Sequence, residues 1–115
     1  MVIVQLESAA GLEAIEETVA VDGVDMVLVG TNDFLADLRR PGEYDHPKAR
    51  EAYERTIRAC RARGKHVGVG GLGSRPDLVQ QYVSMGARFV STGTDLAFLL
   101  AAASERAKQV RHLKL

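Results

Sequence analysis

With one cysteine, no tryptophan and three histidines, this chain of 115 residues has few side chains on which chemistry could rest. A single cysteine excludes an internal disulfide, so Cys60 is expected to pack as a small hydrophobe in a reducing cytoplasm. Net charge is lacking too: 15 lysines and arginines balance 15 aspartates and glutamates. That balance steers the chain toward neither nucleic acid nor an anionic membrane, and neither partner is expected. No apolar run approaches the roughly 20 residues that span a bilayer. No basic lead with an apolar stretch and small-residue cleavage site opens the sequence, so a secretory signal is not expected. Only three prolines occur, and each sits where a segment starts or breaks: Pro41, Pro47 and Pro76.

What is present is ordinary for a soluble domain, with 46% apolar and 26% charged residues. The length suffices for one core and one domain, residues 1–115. The organising stretch runs from Val2 to Phe34. Val2-Ile3-Val4-Gln5-Leu6-Glu7 and Met26-Val27-Leu28-Val29-Gly30-Thr31-Asn32-Asp33 are β-branched apolar runs that each lead to an acid. Joined by one helix, they make a βαβ unit. Parallel strands point the same way, so Glu7 and Asp33 emerge together at the carboxyl-terminal edge, where α/β folds keep their ligands. Two carboxylates there repel each other unless a cation lies between them, and oxygen ligands suit Mg²⁺ or Mn²⁺. Acids at strand ends also cap helices and form loop salt bridges, so position alone leaves both readings open.

Further along, the pattern predicts three more helices and two more strands. Ser8 is placed to cap a helix with Leu12, Ile15 and Val19 inward and Glu13, Glu16 and Glu17 outward; Asp22-Gly23 ends it. Val24–Val29 is the second strand, and Phe34–Leu38 makes a turn or two of helix before a loop through Asp45. Pro47 opens a long helix with Ala49, Tyr53, Ile57 and Cys60 inward and its arginines on a solvated face. His66–Val69 is the third strand, and Ser74 and Pro76 open a helix with Leu78, Val79, Tyr82 and Val83 inward, ended by Gly86. Ala87–Val90 is the fourth strand, and Asp95 caps a last helix carrying Leu96, Leu99, Leu100 and Ala103, with a basic end at Lys108, Arg111, His112 and Lys114.

The expected fold is therefore α/β: four consecutive βα units, about half of a (β/α)₈ barrel, which takes roughly 250 residues. A small open α/β sandwich is the alternative. Four parallel strands cannot close a barrel, so an apolar inner face should drive a dimer or larger assembly.

Several blocks carry a resemblance. Gln5-Leu6-Glu7, Asp22-Gly23-Val24-Asp25 and Gly30-Thr31-Asn32-Asp33 resemble the HpcH/HpaI aldolases, relatives of the citrate lyase β-subunit. His46-Pro47, Arg63-Gly64-Lys65, Met85-Gly86-Ala87-Arg88-Phe89-Val90 and Gly93-Thr94-Asp95 follow in the family's order, over essentially the whole chain and as its C-terminal half only. The resemblance implies a class II carbon–carbon lyase that cleaves a 2-keto-hydroxy acid to pyruvate, or a related keto acid, plus an aldehyde. It implies Glu7 and Asp33 as ligands of a divalent ion (Mg²⁺, Mn²⁺ or Co²⁺). Gln5 matches the glutamine that contacts the keto acid, and Asn32 and Asp33 match the positions whose backbone amides hold its carboxylate. A homo-oligomer is implied as well, with the last helix packing against another subunit.

The sequence also departs from the family. Thr31 stands where proline is usual, and Phe34 and Leu35 stand where the family usually turns to a small or polar residue; these are expected to alter the pocket wall rather than the metal site. No segment matches the family's catalytic histidine or its keto-acid arginine, so no catalytic residue is assigned. His46, His66 and His112 read as a helix-start residue, a strand-entry residue and a helix-end charge. Two further readings stay open: a catalytically silent half-barrel acting only in assembly, and a citrate-lyase-like enzyme acting on an acyl-CoA. Gly68–Gly73 reads as a flexible wall of the mouth, since it lacks the P-loop lysine and the dinucleotide spacing. Ser91–Thr94 reads as a strand-to-helix turn that could also line the pocket.

Overall fold

Four parallel strands pair in the order β1-β2-β3-β4 in the computed structural model, which describes residues 1–113. They are β1 (Ile3–Leu6), β2 (Met26–Gly30), β3 (His66–Gly70) and β4 (Phe89–Val90). Between and after them lie α1 (Ala9–Glu13), α2 (Ile15–Ala20), α3 (Thr31–Asp37), α4 (Pro47–Ala62), α5 (Pro76–Met85) and α6 (Asp95–Arg111). The register sets Leu6 beside Val29 and Gly30 beside Gly70. The four carboxyl ends therefore form one edge, from which Glu7 and the start of α3 leave side by side. The fourth strand is shorter than its apolar run predicts, pairing only Phe89 and Val90 with Gly68 and Val69.

One face of the sheet is sealed. Val27, Val29, Val67 and Val69 alternate onto it and are buried with Leu12, Ile15, Val19, Tyr53, Ile57 and Cys60. These are the helical stripes expected from the sequence, and they confirm Cys60 as a buried core residue whose thiol pKa is pushed up by burial. The rings of Tyr53 (α4) and Tyr82 (α5) stack at 3.7 Å, locking the two helices together. Such pairs add about 1 kcal/mol beyond the area they bury. The other face is bare, with Ile3 at 37% and Phe89 at 40% exposure.

The single helix expected between β1 and β2 is broken at Ala14. Arg55 explains the break: its guanidinium takes the backbone carbonyl of Glu13 at 3.1 Å, besides the carboxylates of Glu13 and Glu16 at 3.0 and 2.9 Å. Arg55 is thus a staple between α4 and the α1–α2 pair, not part of a solvated face. His46 caps α4 through its side chain, in line with its reading as a helix-start residue, whereas Arg75 rather than Ser74 is the N-cap of α5 and Thr94 rather than Asp95 caps α6. Gly86 ends α5 at φ +132°.

Helix α6 stands apart, with no buried residue and with Leu96 and Leu99 about 70% exposed. The molecule is accordingly elongated, 64 × 31 × 22 Å, with a radius of gyration of 17.2 Å. A compact domain of this size would have about 13 Å. Lys108 and Arg111 fall in the last turn of α6 and His112 at its C-cap, while Lys114 lies outside the described residues.

Candidate active site

The carboxyl-terminal edge is built from three short segments. Gln5 and Glu7 alternate onto the bare face of β1, and there the Gln5 Nε2–H donates to Glu7 Oε1 at 2.6 Å. Gly30 lies beneath the pair: a Cβ at this position would stand 3.0 Å from Glu7 Cγ and 3.1 Å from Gln5 Nε2. Its φ of −82° needs no glycine, so the residue is there for space. Asp33 sits exposed in the first turn of α3, where the dipole and free amides favour a negative charge. Among the described residues, neither Glu7 nor Asp33 has a salt-bridge partner, whereas the acids of α1, α2 and α4 are largely paired.

Asn32 accepts a 2.9 Å hydrogen bond from the hydroxyl of Tyr44, on the loop before α4. Thr31 is fully buried and donates to the carbonyl of Gly70 at 2.8 Å; the Tyr53 hydroxyl, also at 2.8 Å, donates to Thr31 in turn. Burial raises the Tyr53 pKa well above the phenol range, so it remains a donor. Thr31, Phe34 and Leu35 are all buried, which corrects the expectation that they reshape the pocket wall. They change the packing beneath the edge, and Thr31 ties β2, β3 and α4 together at their ends. The Gly68–Gly73 segment is likewise anchored, by the buried Leu72. The Ser91–Thr94 turn holds to the sheet through the Ser91 amide on Val69 and to α6 through Thr94.

The sequence-derived site residues Gln5, Glu7, Asn32 and Asp33 thus share one edge, with a direct bond only between Gln5 and Glu7. The donor set fits a hard cation, since the carboxylates of Glu7 and Asp33 are both oxygen ligands. They make only part of a shell: among the described residues, no group of three or more His, Cys, Asp or Glu side chains is arranged to hold a metal. Tyr44 was missed. Tyr44 lies in a loop without periodicity, twelve residues from its partner Asn32, and no local pattern joins the two.

The sequence pattern of one family matches residues 1–102. The chain belongs to the HpcH/HpaI aldolase/citrate lyase family. It is 36% identical to the 2-keto-3-deoxy-L-rhamnonate aldolase of Escherichia coli K12 over 104 residues. That match takes in 90% of this chain but 38% of the aldolase. Two solved structures of the HpcH/HpaI family are similar. One, from Desulfitobacterium hafniense, has a TM-score of 0.82 and 29% identity, covering 97% of this chain and 43% of that protein. The other, from Burkholderia cenocepacia J2315, has a TM-score of 0.80 and 33% identity, covering 95% and 42%. The chain therefore spans less than half the length of these relatives, and its four βα units are part of a barrel-like α/β fold.

Proposed function

We propose that this chain supplies the metal half-site of a class II aldolase, a carbon–carbon lyase acting on a 2-keto-hydroxy acid. The observation that carries the reading is a pair of carboxylates, Glu7 and Asp33, with no salt-bridge partner among the described residues, at the sheet edge of a chain that belongs to this family. In this reading Glu7 and Asp33 hold a divalent ion, Mg²⁺ or Mn²⁺ with Co²⁺ as a third candidate. When bound, the ion would polarise the ketone of the keto acid. Gln5 steadies Glu7 through its amide and turns its remaining polar atoms to the keto acid. The amides of Asn32 and Asp33 meet the acid's carboxylate. The products are pyruvate or a related keto acid and an aldehyde.

No described residue fits the base or the keto-acid arginine, so in this reading both come from elements outside the chain. The bare face of the sheet favours a second reading, in which the chain acts only in assembly until that face is covered. Exposed α6 supports a homo-oligomer, and we place the protein in the cytoplasm, where the Cys60 thiol stays reduced. Among the described residues, no helix is long and apolar enough to cross a membrane. Replacing Asp33→Ala is expected to abolish Mn²⁺ uptake, read by the loss of the free-ion signal in electron paramagnetic resonance. Full Mn²⁺ affinity in that variant would sink the assignment.

A further inference from the structure

We propose that Tyr44 is a positioning residue for the keto-acid site, holding the Asn32 carboxamide so that its NH₂ faces an oxygen of the bound acid. The inference rests on the metal half-site reading above and adds to it a side chain that the reading does not use. The Tyr44 hydroxyl occupies Asn32 Oδ1 at 2.9 Å. That bond fixes which way the carboxamide is turned, with its oxygen toward Tyr44 and its NH₂ donors directed away from it. Those donors lie over Gly71: a Cβ built there would be 3.0 Å from Asn32 Nδ2 and 3.1 Å from the Asn32 backbone nitrogen. Main-chain and side-chain nitrogens of one residue thus border the same gap, which Gly71, at φ +78°, leaves open. Among the described residues, no acceptor takes a hydrogen bond from either nitrogen.

Tyr44 is itself held. Its ring is half-buried against the core, and the next residue is gripped from across the molecule. Arg75, ahead of α5, takes both oxygens of Asp45 at 2.8 Å and adds Asp77 at 2.7 Å. A loop that would ordinarily be mobile is clamped at the point where it presents Tyr44. With its guanidinium filled by two carboxylates, Arg75 acts on the site at one remove. A carboxamide fixed in this way loses little rotamer freedom when a ligand arrives, the condition under which a hydrogen bond adds affinity.

The test uses this chain titrated with Mn²⁺ alone, then with pyruvate at saturating Mn²⁺. Tyr44→Phe keeps the ring and its packing but removes the hydroxyl. It is expected to weaken pyruvate binding about 5- to 10-fold, as loss of one such hydrogen bond would, while Mn²⁺ affinity and melting temperature stay put. Asn32→Ala should cost about the same, and the double variant no more than either single, because the two act as one unit. Asn32→Asp, which keeps an acceptor for Tyr44 but turns a carboxylate on the acid, should weaken pyruvate binding further without weakening Mn²⁺ binding. Wild-type pyruvate affinity in Tyr44→Phe, or additive losses in the double variant, would overturn the proposal alone. Absence of Mn²⁺ and pyruvate uptake by the unmodified chain would overturn the half-site reading and this inference with it.

Discussion

On one face of the sheet Val27, Val29, Val67 and Val69 are sealed beneath helices; on the other, Ile3 and Phe89 stand in the open around Gly30, Gly68 and Gly70. The sealed face carries its own stability: alternating valines meet the stripes of α2 and α4, and the Tyr53–Tyr82 stack closes the layer. The bare face is divided along its length. Its amino-terminal part is apolar, with Met26, Leu28 and Phe89 leaning over Gly68, where a Cβ would stand 2.8 Å from Leu28. Its carboxyl-terminal part is polar, with Gln5 and Glu7 over Gly30. The contrast teaches that folding draws on one side of the sheet, and that the proposed half-site lies on the side this chain leaves uncovered.

The sharpest way to break that comparison is to strike the sealed side. Tyr53→Ala removes a fully buried ring, its stack on Tyr82 and its hydrogen bond to Thr31. It is expected to cost about 3–5 kcal/mol in chemical denaturation, and a loss below 1 kcal/mol would contradict the account of the core. A smaller effect comes from the loop clamp. The Arg75 guanidinium holds the carboxyls of Asp45 and Asp77 below their ordinary range. Depressed carboxylate pKa values contribute stability above the unfolded-state value, and that stability is lost as pH falls through the folded-state value. The melting temperature should therefore drop as pH is lowered below about 4, and Arg75→Ala should start lower and fall less steeply. Parallel curves for the two proteins would show that the clamp contributes nothing. The smallest effect belongs to the bare face: Phe89→Ser should move stability by no more than about 0.5 kcal/mol while this face stays uncovered. A large loss there would mean that another chain already covers it.

Much of the sealed side was legible in the sequence because its signals are local. Alternation in Val27 and Val29 and the spacing of Ala49, Tyr53, Ile57 and Cys60 report burial directly, and Pro47 marks the start of α4. The break at Ala14 was not legible, because Arg55 causes it from 42 residues away. Glu7 and Asp33 could be placed from strand ends alone, whereas Gln5 and Asn32 were singled out only through the family resemblance. Tyr44 had neither signal: loop residues lack periodicity, and its bond to Asn32 joins residues twelve apart through a loop that Arg75 holds at Asp45. Thr31 was noticed as a departure but assigned to the wrong place, since its hydroxyl turns into the core to bind Gly70.

The central claim is that two carboxylates at the uncovered edge form half of a metal site. Isothermal titration of Mn²⁺ in the presence of pyruvate, into the unmodified chain and into Glu7→Ala, tests it most directly. The account predicts metal uptake strengthened by pyruvate in the first and lost in the second. Equal uptake by both, or none by either, would contradict it and leave the chain an assembly element without a site of its own.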